Sequence, residues 1–397
     1  MRIIHIEDFF HPNAGYQVNI LSKYQAKLGH EVYVVTSEFK KMPNELKYFF
    51  GNNSIETLDN EFDKKYNVKI IRVPLVTYIS GRSIYANKIF KIVDELRPDI
   101  LYVHGSDTYI GIRYILRANY LNYPIISDNH MAKMASRNKF RNIFYYFYKK
   151  YVSPGIVRND IKIIKMSNDD YVYRCLGVPQ TQTPVIGFGS DLMLFHPDIK
   201  TKVAMRDSLN IPQDSFVIVY AGKLNESKGA KFYAEAIKDK ITTSKNLIFL
   251  IVGNLVGEYG AMLVDLYNTS KNVIIIEPTQ KYTDLAKYYQ MADIAVFPRQ
   301  CSLSFFDVQA CGLPVLLETN EINCERVKYG NGMLFRSNDI SDLREKIYKC
   351  INMPETELNV MKNYAISYIK QNYDYENICQ RYMEIINSVC KINNSML

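Results

Sequence analysis

The 397-residue chain has no apolar run approaching the roughly 18 residues that a membrane-crossing helix needs, so no helical span is expected. Glu7 and Asp8 stand directly behind its first apolar run, which leaves no room there for the core of a signal peptide. Its seven cysteines form no Cys-x-x-Cys pair and no zinc spacing, and their odd number argues against a disulfide framework. Reduced core thiols in a cytoplasmic protein are the expectation. Low-complexity tracts, a fixed repeat and a Gly-x-x-x-x-Gly-Lys-[Ser/Thr] phosphate loop are all missing, so disordered, solenoid and P-loop readings fall away. No nucleic-acid-binding module or base-stacking motif is present.

What remains is 47% hydrophobic and 23% charged, enough to bury two sizeable cores. Arg2 to Ile6 reads as a buried strand, Gln17 to Leu28 as a helix and Glu31 to Thr36 as a second strand, a right-handed βαβ unit. Strands at Lys69 to Val73, Ile100 to His104 and Pro124 to Asp128 alternate with helices at Tyr85 to Leu96 and Tyr109 to Tyr120. A second alternating series runs from Phe216 to Glu318, and a long helix from Glu376 closes the chain. The pattern predicts two doubly wound α/β domains, residues 1–197 joined by the terminal helix 376–397, and residues 198–375. In such folds ligands sit at the carboxyl ends of the strands, and two domains facing each other would enclose a cleft.

Loops that follow strands therefore carry the candidates. Gly222 to Gly229 precedes a helix and holds Lys223 and Lys228, whose ammonium groups suit a diphosphate, although a solvated turn has the same composition. Pro298 to Pro314 holds Ser302 and Ser304 ahead of a helix carrying Asp307. Serine caps and first-turn amides suit phosphate and a carboxylate suits a ribose diol, while an ordinary capped helix fits the spacing equally. Glu325 is expected at the start of a further helix. In the first half, Gly15 follows the first strand, where a backbone without Cβ admits a ligand, and His130 follows the strand ending at Asp128, either as a structural residue or as part of a site.

Taken in order, the segments PNAGYQ, LSKYQAKLGHEVYVVTS, VIGFGSDLMLFHP, AGKLNESKG and FFDVQACGLPVLLETNEINCERVKYGNGMLF resemble the retaining nucleotide-sugar glycosyltransferases of family 4 over nearly the whole chain. The resemblance implies the GT-B fold, two Rossmann-like domains facing across a cleft. It implies that Lys223 and Lys228 hold the donor diphosphate and stabilise the leaving nucleoside diphosphate. Asp307 would bind the donor ribose, Glu277 would border the base, and Ser302, Ser304 and Glu325 would complete the donor site. Gly15 and His130 would lie at the donor sugar and acceptor, with Lys223, Lys228 and His130 as the catalytic set. The implied reaction is a metal-independent retaining transfer with no cofactor beyond the donor, onto a cell-surface glycan or lipid-linked acceptor. It is consistent with the lack of Asp-x-Asp and of any His/Asp cluster at ligand spacing.

The chain departs from the family pattern at named positions. Ala14-Gly15 replaces Gly-Gly, Phe188-Gly189 replaces Asn-Gly, and Lys223 replaces an arginine, giving up bidentate contact. Arg299 stands where the first of a spaced glutamate pair is expected, on a shortened segment. These departures keep open a non-catalytic GT-B scaffold or partner subunit, and a sugar-nucleotide epimerase of the same fold.

The net charge of +8 has one address. Lys133 to Lys165 holds nine basic residues, among them Arg137, Lys139, Arg141, Lys149 and Lys150, against one acid, while the remainder balances at 40 of each sign. Phe140, Phe144, Phe147 and Tyr151 fall on one helical stripe of the same segment. Either the stripe faces the core, or the segment docks the protein peripherally on the anionic inner face of a membrane.

Overall fold

The computed structural model describes residues 1–38, 54–79, 81–130, 140–166, 170–299 and 302–396. The chain divides into two compact units, one of Met1–Phe188 with Tyr375–Leu397, the other of Gly189–Asp374. The first boundary falls ahead of Pro197.

In the first unit, strands β1 (Arg2–Glu7), β2 (Glu31–Ser37) and β3 (Val68–Val73) are followed by a hairpin, β4 (Leu75–Ile79) and β5 (Arg82–Tyr85), and then by β6 (Ile100–Val103), β7 (Ile125–Asn129) and β8 (Lys162–Lys165). The six strands outside the hairpin form a sheet in the order β3-β2-β1-β6-β7-β8, parallel throughout. Ile3, Ile4, Ile6 and all of β6 are buried because helices cover both faces, so these strands read as apolar runs without alternation.

The second unit repeats the plan with β9 (Phe216–Ala221), β10 (Leu247–Val252), β11 (Val273–Glu277), β12 (Ile294–Phe297), β13 (Val315–Glu318) and β14 (Gly332–Phe335), ordered β11-β10-β9-β12-β13-β14. Both orders are that of a Rossmann sheet, with the switch point beside the first strand of each. Asp293, just ahead of β12, anchors the helices around this sheet. It accepts from Lys202 at 2.8 Å, from the buried Arg206 at 2.9 Å and from the Val217 amide at 2.9 Å.

Several expectations are corrected. Tyr85 ends a hairpin strand, and the helix after it begins at Lys88. Strand β8, KIIK, is flanked by lysines and β14, GMLF, opens on a glycine, so neither stands out as an apolar run. Glu325 lies near the end of helix Glu321–Arg326, because Asn320, whose side chain accepts from the Asn323 amide, caps that helix four residues earlier than expected.

Within the basic, aromatic segment the described residues begin again at Phe140; Arg137 and Lys139 lie outside the described residues. Helix Arg141–Phe147 passes into a wide π-turn at Tyr148–Val152 before helix Ser153–Arg158. The added residue per turn re-phases the inward face, which runs through Phe144, Tyr148, Val152 and Ile156. Only Phe144 of the expected stripe turns inward. Phe140 is 71% exposed, Ile143 69%, Tyr146 64% and Tyr151 52%. Arg141, Lys149 and Lys150 are exposed beside them.

Candidate functional site

At the carboxyl edge of the first sheet the residues at strand ends converge on Asp128. Its Oδ2 accepts from the Tyr102 hydroxyl at 2.8 Å and from His104 Nδ1 at 2.7 Å, and lies 3.2 Å from His130 Nε2. The Gly105 amide donates to Oδ1 at 2.7 Å. Burial alone would raise this carboxyl, yet the charges and hydrogen bonds of His130 and His104 hold it well below the usual carboxylate range. Burial likewise works against a charged His130, and Asp128 overrides it, raising the imidazole above its ordinary value. Behind His104 the chain of contacts continues inward. His104 Nε2 lies 3.0 Å from His5 Nδ1, and His5 Nε2 lies 2.6 Å from Gln25 Oε1. Burial and the neighbouring His104 push His5 down to about 3, so this inner ring is neutral.

The expected lack of a His/Asp cluster is therefore overturned. Folding brings His104 beside Asp128 and His130, their ligand-capable atoms within 4.8 Å of one another. The spacing was invisible because His104 comes from β6's end and the other two from β7's. The hydrogen bonds to Asp128 account for the geometry without a metal. His130 is the outermost member, its side chain 41% exposed with Phe188 edge-on at 5.5 Å. Gly15 is half-buried in the loop after β1. Replacing Asp128 with Asn removes the charge that raises His130, so the acidic limb of a pH–activity profile measured from about pH 5 to 9 should move to lower pH if neutral His130 is needed for turnover. An unmoved limb would show that His130 does not titrate in the reaction.

At the carboxyl edge of the second sheet, the loop after β9 holds Lys223, exposed, and Lys228, half-buried. The loop is built tightly: a Cβ on Gly253, after β10, would stand 2.4 Å from the Gly222 carbonyl oxygen. Asn225 caps the turn by accepting from the Lys228 amide at 3.0 Å. Gly229 opens the next helix with φ +75°, and a Cβ there would meet Arg299 Cγ at 2.7 Å. Arg299 thus lies across this loop as a third cation. Its Nη2 donates to Asn338 at 2.6 Å, Asn338 is held in turn by Glu318, and Nε is buried without a partner among the described residues.

The remaining candidates occupy the same edge, with altered details. Glu277 is the last residue of β11 and accepts from the Tyr288 hydroxyl at 3.0 Å. Ser302 does not cap the helix as expected; its Oγ takes the Ser304 amide at 3.3 Å, and Ser304 is the first helical residue. Arg326 braces the loop through the Ser302 carbonyl. Glu325 is exposed and paired with Lys328. Asp307 is buried, and its Oδ1 accepts from Ser190 at 2.8 Å and lies 3.4 Å from the Tyr282 hydroxyl. Burial raises it to about 8, so it is protonated at neutral pH.

Residues 202–367 match the family described as glycosyl transferases group 1. The matched residues all fall within the second unit. The chain has the GT-B fold of the solved structures it superposes on. The UDP-Gal:alpha-D-GlcNAc-diphosphoundecaprenol alpha-1,3-galactosyltransferase of Escherichia coli is 24% identical over 69% of this chain and 71% of its own length. A Rickettsia africae glycosyltransferase superposes with a TM-score of 0.74 at 15% identity, covering 98% of each chain. Anabaena HepE in complex with UDP-glucose gives 0.72 at 16% identity, covering 98% of this chain and 100% of its own. Group 1 glycosyl transferases take nucleotide-sugar donors, which is the ligand class the cationic loop of the second unit suits. No helix among the described residues is long and apolar enough to cross a membrane.

Proposed function

We propose that this chain is a retaining, metal-independent glycosyltransferase that moves a sugar from a nucleoside diphosphate onto a cell-surface glycan or lipid-linked acceptor. The observation that carries the reading is the Gly222–Gly229 loop at the carboxyl edge of the second sheet, within the matched residues, which holds Lys223 and Lys228 and has the Arg299 stem packed against Gly229. In the reaction an acceptor hydroxyl oxygen bonds to the anomeric carbon, the bond from that carbon to the diphosphate breaks, and the hydroxyl proton passes to the departing phosphate. The cations oppose the charge that grows on the leaving group. His130, held by Asp128, faces the reacting sugar, with Gly15 lining the same pocket. Glu277 borders the base, Ser302, Ser304 and Glu325 line the donor side, and Asp307 reaches the ribose after releasing Ser190 and Tyr282.

Nucleotide binding tests this directly. A UDP, GDP or ADP sugar that binds the native chain raises its melting temperature by mass action, and acceptor-dependent release of the same nucleoside diphosphate completes the assignment. Arg299 and the buried Asp307 favour one other reading, a GT-B scaffold or partner subunit that binds no donor. Absence of any nucleotide-induced shift selects it.

The aromatic surface at Phe140, Ile143, Tyr146 and Tyr151, interleaved with Arg141, Lys149 and Lys150, supports docking on an anionic membrane. Tyr148, on the inward face of the same segment, donates to the Ser106 carbonyl at 3.1 Å, next to Asp107 in the loop after β6. Docking there sets the edge that holds His130 close to a lipid-linked acceptor. The protein is expected to co-sediment with phosphatidylglycerol vesicles at low salt, and the double variant Phe140→Ser/Tyr146→Ser to stay in the supernatant; equal sedimentation of the two disproves the dock.

A further inference from the structure

Behind Asp128 lie three polar side chains that the transfer chemistry does not use: His104 just after β6, His5 in β1 and Gln25 in the helix Gln17–Lys27. All are buried away from water, so each proton between them is shared among identifiable atoms. Asp128 Oδ2 lies 2.7 Å from His104 Nδ1, His104 Nε2 lies 3.0 Å from His5 Nδ1, and His5 Nε2 lies 2.6 Å from Gln25 Oε1. The Tyr102 ring stacks on the His104 ring at 4.2 Å and fixes its plane.

Donors and acceptors along this line can be completed in two ways. An ionised Asp128 only accepts, so His104 Nδ1 donates in both. With one proton on each imidazole, His104 Nε2 accepts from His5 Nδ1, His5 Nε2 is left as an acceptor, and Gln25 must turn its NH2 group toward it. With one proton more, His104 donates from both nitrogens, His5 Nδ1 accepts, and His5 Nε2 donates to the Gln25 oxygen. The Gln25 amide stands as the second arrangement requires: Oε1 faces His5, and Nε2 is buried without a partner among the described residues. The extra proton bears on His130, because the facing ring nitrogens of His104 and His130 lie within 4.8 Å of each other and like charges at that range compete. Glu7 at the end of β1 and Asp107 after β6 are the further acids acting on His130, and the phenols of Tyr102 and Tyr382 sense Asp128.

Resting on the glycosyltransferase reading for what His130 does, we propose that Gln25 and His5 are positioning residues for His130. A turn of the Gln25 amide accompanies uptake of one proton by the His5–His104 pair, and that proton keeps the outer imidazole neutral to lower pH.

NMR of the full chain with its histidine rings labelled with nitrogen-15, from about pH 5 to 9 and without ligand, tests the assignment. As pH falls, His5 in the native protein should pass from the Nδ1–H to the Nε2–H tautomer in step with the gain of a second proton by His104. A single His5 tautomer throughout overturns the proposal, and this measurement needs no variant. Gln25→Glu supplies an acceptor of nearly the same shape, so His5 should stay Nε2–H across the range. The His130 midpoint should then fall by about one pH unit, and the acidic limb of the pH–activity profile should follow it. A His5 that remains Nδ1–H in Gln25→Glu, or a His130 midpoint that does not move, also overturns the proposal. Failure of the glycosyltransferase reading is separate: it appears as native protein with no nucleotide-induced shift in melting temperature, whatever the histidines do.

Discussion

Asp307→Asn is expected to keep its stability as pH rises from about 4 to about 8, the window over which the native protein loses stability. The carboxyl is 6% exposed and burial, the largest cause, raises it to about 8. Between the unfolded value near 4 and the folded value the native state binds one proton more than the unfolded state, so stability falls as pH rises through that window. Over about four pH units the loss is on the order of 5 kcal/mol. Asparagine reproduces the protonated form: its carbonyl oxygen can still accept from Ser190 and Tyr282, and it never ionises. The two proteins should therefore have similar stability near pH 4 and diverge steadily above it. Parallel melting curves from pH 5 to 9 would mean that Asp307 ionises freely in the folded chain. The same buried hydrogen bonds tie the segment at Ser190 to the helix that starts at Ser304, so a ribose that takes Asp307 must displace a structural contact. Donor binding should consequently be slow to form relative to diffusion and should loosen that segment.

Lys228→Ala is expected to lower turnover by about 10²- to 10³-fold, the cost of removing one preorganised group that stabilises a developing negative charge. Melting temperature without ligand should change little, because Lys228 sits on a surface loop whose turn is capped by Asn225 and whose next helix is opened by Gly229. The loss should appear mainly in kcat, since charge grows on the diphosphate as its bond to the sugar breaks. Nucleoside diphosphate release from a donor panel, with acceptor present, is the measurement; unchanged turnover removes Lys228 from the phosphate clamp. Arg299→Ala provides the comparison. Its stem covers Gly229, so it shares the same anion if the three cations act together, and the double variant should then lose less than the product of the single losses.

The duplicated βα pattern was legible because parallel strands buried on both faces read as near-continuous apolar runs, and FVIVYA and LIFLIV announce themselves. Position after a strand was enough to nominate Lys223, Lys228, Asp307 and His130, since strand ends in such sheets face ligands. It was not enough to say what each side chain does. Asp307 and Lys228 look equally available in the chain, and only packing buries the first and leaves the second at the surface. The π-turn at Tyr148–Val152 could not be read from spacing, since one added residue re-phases a helix face without altering composition.

The sequence by itself determined the fold class and the loops that bear chemistry, because hydrophobic periodicity and chain order are local properties. Tertiary structure decided the partnerships. Asp128 with His104, His5 with Gln25, and Arg299 with Gly229 lie 20 to 70 residues apart, and only the folded sheets and their helices bring them into contact. Burial then set charge states, pushing His5 down to about 3 and Asp307 up to about 8.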